Sequence, residues 1–131
     1  MVVQHQLSTR KSLKERSKIK EGMESLLFSV VQNTDMDKNL EISIVVPVYN
    51  EESLVEELCS RLKSVADTLN RSYEILIVDD GSDDGSFKKL KRISEEDKIF
   101  RLVRLTRNFG QQSAVLAGFR ISRGEIVVQL D

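Results

Sequence analysis

Residues 42–51, Ile-Ser-Ile-Val-Val-Pro-Val-Tyr-Asn-Glu, leave the chain little choice of fold. A β-branched apolar run passes through the chain's single proline and stops on Tyr49, Asn50 and Glu51, with a helical pattern directly after. A run that is apolar on both faces reads as a strand covered by helices on each side, as in a parallel sheet. Pro47 has no N–H, so it fits only near the strand's end, where a ladder bond can be missing. Such a strand carries its polar end to the edge at which open α/β sheets bind ligands.

The layout recurs. Strands are expected at 42–48, 74–78, 100–105 and 125–130, ending respectively on Tyr49-Asn50-Glu51, Asp79-Asp80-Gly81-Ser82, Arg107-Asn108-Phe109-Gly110 and Asp131. Between them lie helical patterns. The first carries Leu54, Leu58, Leu62, Val65 and Leu69 on one stripe, with Asn50 as its N-cap and Glu51 and Glu52 in its first turn. Asp83 or Asp84 caps a second helix over 86–95. A third starts near Gly110 or Gln111 and is kept slim by Ala114, Ala117 and Gly118, with Gly124 suited to its stop. The expected class is α/β, in the order β-α-β-α-β-α-β, which implies a parallel sheet with right-handed crossovers.

With 131 residues the chain holds one domain with a real core. Its formal net charge of −1 gives no reason to expect a nucleic-acid partner. Cys59 is the sole cysteine, which excludes an internal disulfide and a cysteine metal cluster and leaves a small buried helix residue. No apolar run approaches the length of a membrane span, about 20 residues. The first twenty residues have charges but no apolar core, unlike a signal peptide. A cytoplasmic chain, soluble or peripheral at the inner membrane face, is expected.

Residues 1–40 differ from the rest. Arg10, Lys11, Lys14, Arg16, Lys18 and Lys20 form a basic run, and Ile19, Met23, Leu26, Leu27 and Val30 then recur at helical spacing. This reads either as an amphipathic helix lying on an anionic membrane surface or as a frayed or disordered arm. The domain proper is expected over 41–131, after a break at Gln32-Asn33-Thr34-Asp35.

The first turn excludes the common phosphate-binding loops. A dinucleotide fold or a P-loop needs glycines there, so that phosphate can reach bare helix amides. No glycine lies between residues 23 and 80, and Glu51 and Glu52 would repel a diphosphate. Carboxylates instead suit base N–H groups and ribose hydroxyls, and Tyr49 offers an aromatic surface. The phosphates then need a metal or arginine. Asp131 is a candidate ligand for a hard divalent cation, and Arg104 and Arg107 are candidate phosphate partners. Bland readings stand beside these: Asp79 and Asp80 as turn residues, Asn50 and Glu51 as helix-start residues, Arg107 as a surface charge.

Val45-Val46-Pro47-Val48-Tyr49-Asn50-Glu51-Glu52, Val78-Asp79-Asp80-Gly81-Ser82-Asp83-Asp84-Gly85-Ser86, Arg107-Asn108-Phe109-Gly110 and Val127-Val128-Gln129-Leu130-Asp131, in this order, resemble the family-2 inverting glycosyltransferases. The nearest branch is the dolichyl- or polyprenyl-phosphate sugar synthases, and the resemblance covers residues 41–131. It implies a GT-A (Rossmann-like) fold that binds a nucleotide-diphosphate sugar, such as a GDP- or UDP-sugar, with Mg²⁺ or Mn²⁺. By resemblance, Pro47, Tyr49, Asn50 and Glu51 line the nucleoside pocket, Val78 and Asp80 hold the base, and Arg107 lies beside the donor. Asp131 matches the first acid of the DxD metal motif. The implied acceptor is a polyprenyl phosphate or a glycan, attacked onto the anomeric carbon with inversion.

The sequence stops inside that metal motif, before its second acid and the acceptor-side half. The expectation is therefore a donor-binding half, inactive alone, whose last strand has an open edge. A rival expectation is a non-catalytic interaction module that pairs its strand edge with a partner or docks its basic arm on membrane. A phosphoacceptor domain built on Asp79 and Asp80 fits less well, because such domains place their acidic pair after the first strand.

Overall fold

The computed structural model describes the backbone of residues 27–31 and all of residues 39–130. Among the described residues there are five strands, β1 (Leu27–Val31), β2 (Ile42–Val48), β3 (Tyr73–Asp79), β4 (Phe100–Leu105) and β5 (Ile126–Gln129). Among the described residues three helices join β2 to β5, α1 (Val55–Asp67), α2 (Ser86–Glu96) and α3 (Gln111–Ile121). From β2 onward the order is the one the sequence implies.

The strands form one sheet in the order β1-β4-β3-β2-β5. β2, β3, β4 and β5 are mutually parallel, and β1 runs antiparallel to β4, with Val30 opposite Val103. β1 corrects part of the expected N-terminal helix: Leu27 and Val30 lie on a strand, while the rest of that stripe falls outside the described residues. Leu-Phe-Ser-Val-Val is rich in β-branched and aromatic residues, and β4 offers an edge of unpaired backbone groups that pairing satisfies.

The chain steps from β2 through β3 to β4 and then returns over the other face to set β5 on the far side of β2. Ile42, Ile44, Val46 and Val48 point to the face covered by α1 and α2, where they meet Ile75, Ile77, Leu102 and Leu90. Val45, Leu76, Val78, Val103 and Leu105 point to the opposite face, covered by Ala114 and Ala117 of α3. α3 lies very close: a Cβ on Gly118 would stand 2.3 Å from Cγ1 of Val45. Small residues at Ala114, Ala117 and Gly118 are what permit that approach.

α1 departs from the sequence reading. Its buried stripe is Val55, Cys59, Leu62 and Ala66, whereas Leu54, Val65 and Leu69 are exposed. Two stripes one residue apart both recur at helical spacing, and the one with the smaller side chains faces the sheet, where it allows closer docking. Cys59 is buried as expected, and burial pushes its thiol up to about 11. Asn50 is not the N-cap either. It sits four residues before the cap position, Leu54, in a left-handed conformation.

At the amino end of the sheet, buried Glu74 meets buried Arg101 at 2.7 Å. The other Glu74 oxygen accepts the Ser43 hydroxyl at 2.5 Å and the Arg123 amide at 2.9 Å. Ser43 Oγ in turn accepts the Gly124 N–H at 2.8 Å, and Arg101 donates to the Ile121 carbonyl at 3.2 Å. The cluster ties β2, β3, β4 and the turn after α3 into one knot.

Candidate functional site

The reversal of winding between β2 and β5 creates a crevice at the carboxyl ends of the strands, the usual ligand position in an open α/β sheet. Pro47 faces it. The Val45 carbonyl accepts the Leu130 N–H at 3.0 Å, so Pro47, two residues on, presents its missing donor where the next bond of that ladder would fall.

The turns that leave β2 and β3 are bolted together. The Asn50 amide donates to Ser82 Oγ at 2.9 Å, and Asn50 Oδ1 accepts the Asp83 N–H at 3.0 Å. The Glu51 amide donates to Ser86 Oγ at 2.9 Å. Glu52 Oε2 accepts the Gly85 N–H at 3.0 Å, and Lys89 donates to the Glu52 carbonyl at 3.0 Å. The N-cap of α2 is Gly85 and not Asp83 or Asp84, but Asp84 accepts the Ser86 N–H at 2.8 Å, and hydrogen bonding from Ser86, its hydroxyl first and its amide second, holds the Asp84 carboxyl below the usual range.

The turn after β3 meets the turn after β4 in the same manner. Asp80 accepts the Phe109 N–H at 2.9 Å and the Gly110 N–H at 3.0 Å. Beneath them Asp79 is fully buried, 3.2 Å from Arg104 Nε. Burial raises the Asp79 carboxyl above its ordinary value, opposed by Ser82 and Arg104. Arg104 also donates to the Ser82 carbonyl at 2.9 Å and lies 4.3 Å over the Phe87 ring. These contacts make it a brace within the fold.

A cleft of about 400 Å³ opens above these turns. Of the residues the sequence singled out, Pro47, Tyr49, Glu51 and Asp80 line it. Tyr49 is 44% exposed, and the Glu51 carboxylate faces solvent. Val78 does not line it: it is fully buried against α3 and shapes the cleft only from beneath. Asn50 turns its side-chain oxygen to the neighbouring turn. Arg107 is exposed, with its guanidinium 4.4 Å over the Phe109 ring. Asp131 lies outside the described residues. Gly110 and Gln111, at the start of α3, line the cleft without having been singled out as site residues, and Asn108 joins them. The signal available for them was the pair of glutamines in the first turn of a helix that otherwise buries small apolar residues. A second hollow of about 350 Å³, floored by Val46, Leu54 and Leu58, shares Pro47 and Glu51 with the cleft as a common wall.

The arrangement offers a phenol, a carboxylate and a carboxamide around an open, preformed space. These are groups that stack on a planar ring and exchange hydrogen bonds with a base or sugar hydroxyls. Among the described residues no three His, Cys, Asp or Glu side chains cluster to hold a metal. No helix among them is long and apolar enough to cross a membrane.

The sequence profile described as Glycosyl transferase family 2 matches residues 43–131. Undecaprenyl-phosphate 4-deoxy-4-formamido-L-arabinose transferase of Aeromonas hydrophila is 39% identical over 103 residues, covering 77% of this chain and 30% of that protein. The protein of the same name from Pseudomonas paraeruginosa is 46% identical over 91 residues, 69% of this chain and 27% of that one. The chain thus spans under a third of these curated relatives. Among solved structures, the mannosyltransferase PcManGT from Pyrobaculum calidifontis in complex with GDP-Man and Mn²⁺ superposes with a TM-score of 0.56 at 25% identity, covering 88% of this chain and 33% of that one. S. aureus TarS 1–349 gives a TM-score of 0.57, also at 25% identity, over 70% of this chain and 27% of that one. The α/β parallel sheet described above is the GT-A architecture these structures share.

Proposed function

Because this chain belongs to glycosyl transferase family 2, we propose that its cleft binds the nucleoside diphosphate of a nucleotide sugar. In the intact enzyme the sugar would then pass, with inversion, to a polyprenyl phosphate. The observation that carries the reading is the cleft itself: at the sheet's reversal point, Tyr49, Glu51 and Asn108 surround a space of nucleoside size. Relatives named as undecaprenyl-phosphate sugar transferases support the acceptor class, with a glycan acceptor as the broader form of the same proposal. A neighbour that holds GDP-Man and Mn²⁺ supports the donor class.

In this reading Tyr49 stacks beside the base, while Pro47 closes the floor where the sheet's ladder has a gap. Glu51 accepts hydrogen bonds from base or ribose, and Asn50 holds the turn that carries them both. Val78 supports the pocket from the core. Arg107, exposed and next in sequence to the cleft residue Asn108, would meet the diphosphate. Asp131, which follows β5, is the residue that would hold Mg²⁺ or Mn²⁺; when bound, such a cation offsets charge on the diphosphate. The acceptor oxygen attacks the anomeric carbon from the face opposite the diphosphate, which leaves with the bonding pair. Contact with a membrane surface follows from a lipid-borne acceptor.

Calorimetric titration of the full chain with GDP, UDP and their sugars, with and without Mn²⁺, tests the donor half. Metal-enhanced binding of one nucleotide, lost in Glu51→Ala, is expected. A chain that melts cooperatively yet binds none of the four would overturn it.

A further inference from the structure

Three successive amides after β2 are spent on side chains of the turn after β3. The Asn50 N–H donates to Ser82 Oγ at 2.9 Å, the Glu51 N–H to Ser86 Oγ at 2.9 Å and the Glu52 N–H to Asp84 Oδ2 at 3.3 Å. Asn50 stands at φ +48°, a conformation uncommon for a residue with a side chain, and these bonds hold the turn in that bent shape. Ser82 and Ser86 are 1% and 0% exposed, and neither is among the residues that line the cleft. Ser86 does two things at once. Its oxygen accepts the Glu51 amide, and its hydroxyl hydrogen goes to Asp84, whose carboxyl it draws down. Asp84 carboxylate, Ser86 hydroxyl and Glu51 amide thus form one relay. It runs from an exposed acid, through a buried hydroxyl, to a residue that lines the cleft.

We propose that Ser86 is a positioning residue for the donor site: its hydroxyl fixes the Glu51 amide, and so sets the Glu51 carboxylate in the cleft, without itself touching a ligand. The functional half of this assignment rests on the donor-site reading above; the hold on the Glu51 amide stands on geometry. A hydroxyl suits the place because it accepts from an amide and donates to a carboxylate at the same time. Alanine does neither, and would leave the Glu51 N–H without its acceptor. With the turn held before a ligand arrives, less of the chain has to be ordered on binding.

Variants of the full chain test it, read by amide hydrogen exchange and by calorimetry with GDP and UDP in the presence of Mn²⁺. In Ser86→Ala, exchange of the Glu51 amide in the ligand-free protein should accelerate by about tenfold. Affinity for the nucleotide that wild type binds should fall by about fivefold. The double variant Glu51→Gln with Ser86→Ala should bind no more weakly than Glu51→Gln alone, because the residue through which Ser86 acts is already disabled. Asp84→Ala, at an exposed position, loosens the same relay from its far end and should repeat the pattern in smaller measure. Ser94→Ala removes another hydroxyl of α2, 6% exposed and bonded to the Lys91 carbonyl at 2.8 Å, and should leave affinity unchanged. Losses that add in the double variant, or an equal loss in Ser94→Ala, would reduce Ser86 to a general stabiliser and overturn the proposal. So would normal protection of the Glu51 amide in Ser86→Ala. Faster exchange with undiminished affinity would overturn its functional half. If wild type binds neither nucleotide, the donor-site reading and that functional half fail together, and exchange at Glu51 still decides whether Ser86 holds the turn.

Discussion

At the amino end of the sheet Glu74 faces Arg101 at 2.7 Å; at the carboxyl end Asp79 faces Arg104 at 3.2 Å. Both pairs bridge β3 and β4, and both acids are fully buried, yet the two ends are built for different tasks. Glu74 has its charge met by an arginine only 3% exposed and its oxygens filled by Ser43 and the Arg123 amide. Arg104 is 28% exposed and divides itself among Asp79, the Ser82 carbonyl and the Phe87 ring. The amino end is sealed and holds elements together. The carboxyl end is reached by water and holds a turn in the shape that frames the cleft. An ion pair in a parallel sheet thus serves stability or site geometry according to how completely its second partners close around it.

The largest effect is expected from Arg101→Met, which leaves Glu74 buried without a counter-charge and should cost about 3–5 kcal/mol in urea unfolding. The double change Glu74→Leu with Arg101→Met should recover much of that loss, because no buried charge then remains. A single variant within about 1 kcal/mol of wild type would erase the contrast between the ends. Arg104→Leu should cost less, about 1–3 kcal/mol, since water can reach part of the group that replaces its contacts.

Asp79→Asn sharpens the comparison through pH. Burial lifts the Asp79 carboxyl above 3.8, so the native state keeps this proton to higher pH than the unfolded chain. Between 3.8 and the raised value the native state binds more protons, and stability must fall as pH rises through that window. The unfolding free energy of wild type relative to Asp79→Asn should therefore decline as pH rises above 3.8 and level off once the native carboxyl has ionised. A difference that stays level as pH rises from 3.8 would mean that Ser82 and Arg104 offset the burial of Asp79. Smallest of all, Arg61→Ala breaks an i,i+4 pair with Glu57 whose members are 72% and 58% exposed, and should change stability by under about 0.5 kcal/mol.

What the sequence made legible follows from range. Strands β2 to β5 could be placed because runs such as Ile42–Val48 and Tyr73–Asp79 are apolar in themselves. The buried face of α1 was placed in part: Leu58 and Leu62 pack in the core, whereas Leu54, Val65 and Leu69 outrank Val55, Cys59 and Ala66 in apolar size while close docking favours the smaller set. Tyr49 and Glu51 were found at the cleft because they directly follow a strand. Asn50 and Asp80 were singled out for a ligand, and the structure shows that their oxygens also meet amides 33, 29 and 30 residues away, contacts that nothing local announces. A polar side chain at a strand's end looks the same in sequence whether it serves a ligand or a neighbouring turn. Glu74 and Arg101 were equally opaque, since nothing local marks a charged pair as buried until the register of β3 on β4 is known.

The return of the chain over the sheet also has a kinetic consequence. β2 and β3 pair Ile42 with Tyr73, whereas β5 brings Ile126 back to Ile42, and Ser43 accepts the Gly124 amide across 81 residues. Closing so long a loop costs more chain entropy than closing the β2–β3 unit, so β5 docks onto a sheet that has already formed. A substitution such as Val127→Ala should then quicken unfolding while leaving refolding nearly unchanged in stopped-flow chevrons. The wall of the cleft beside Pro47 would be the last part of the molecule to assemble and the first to open.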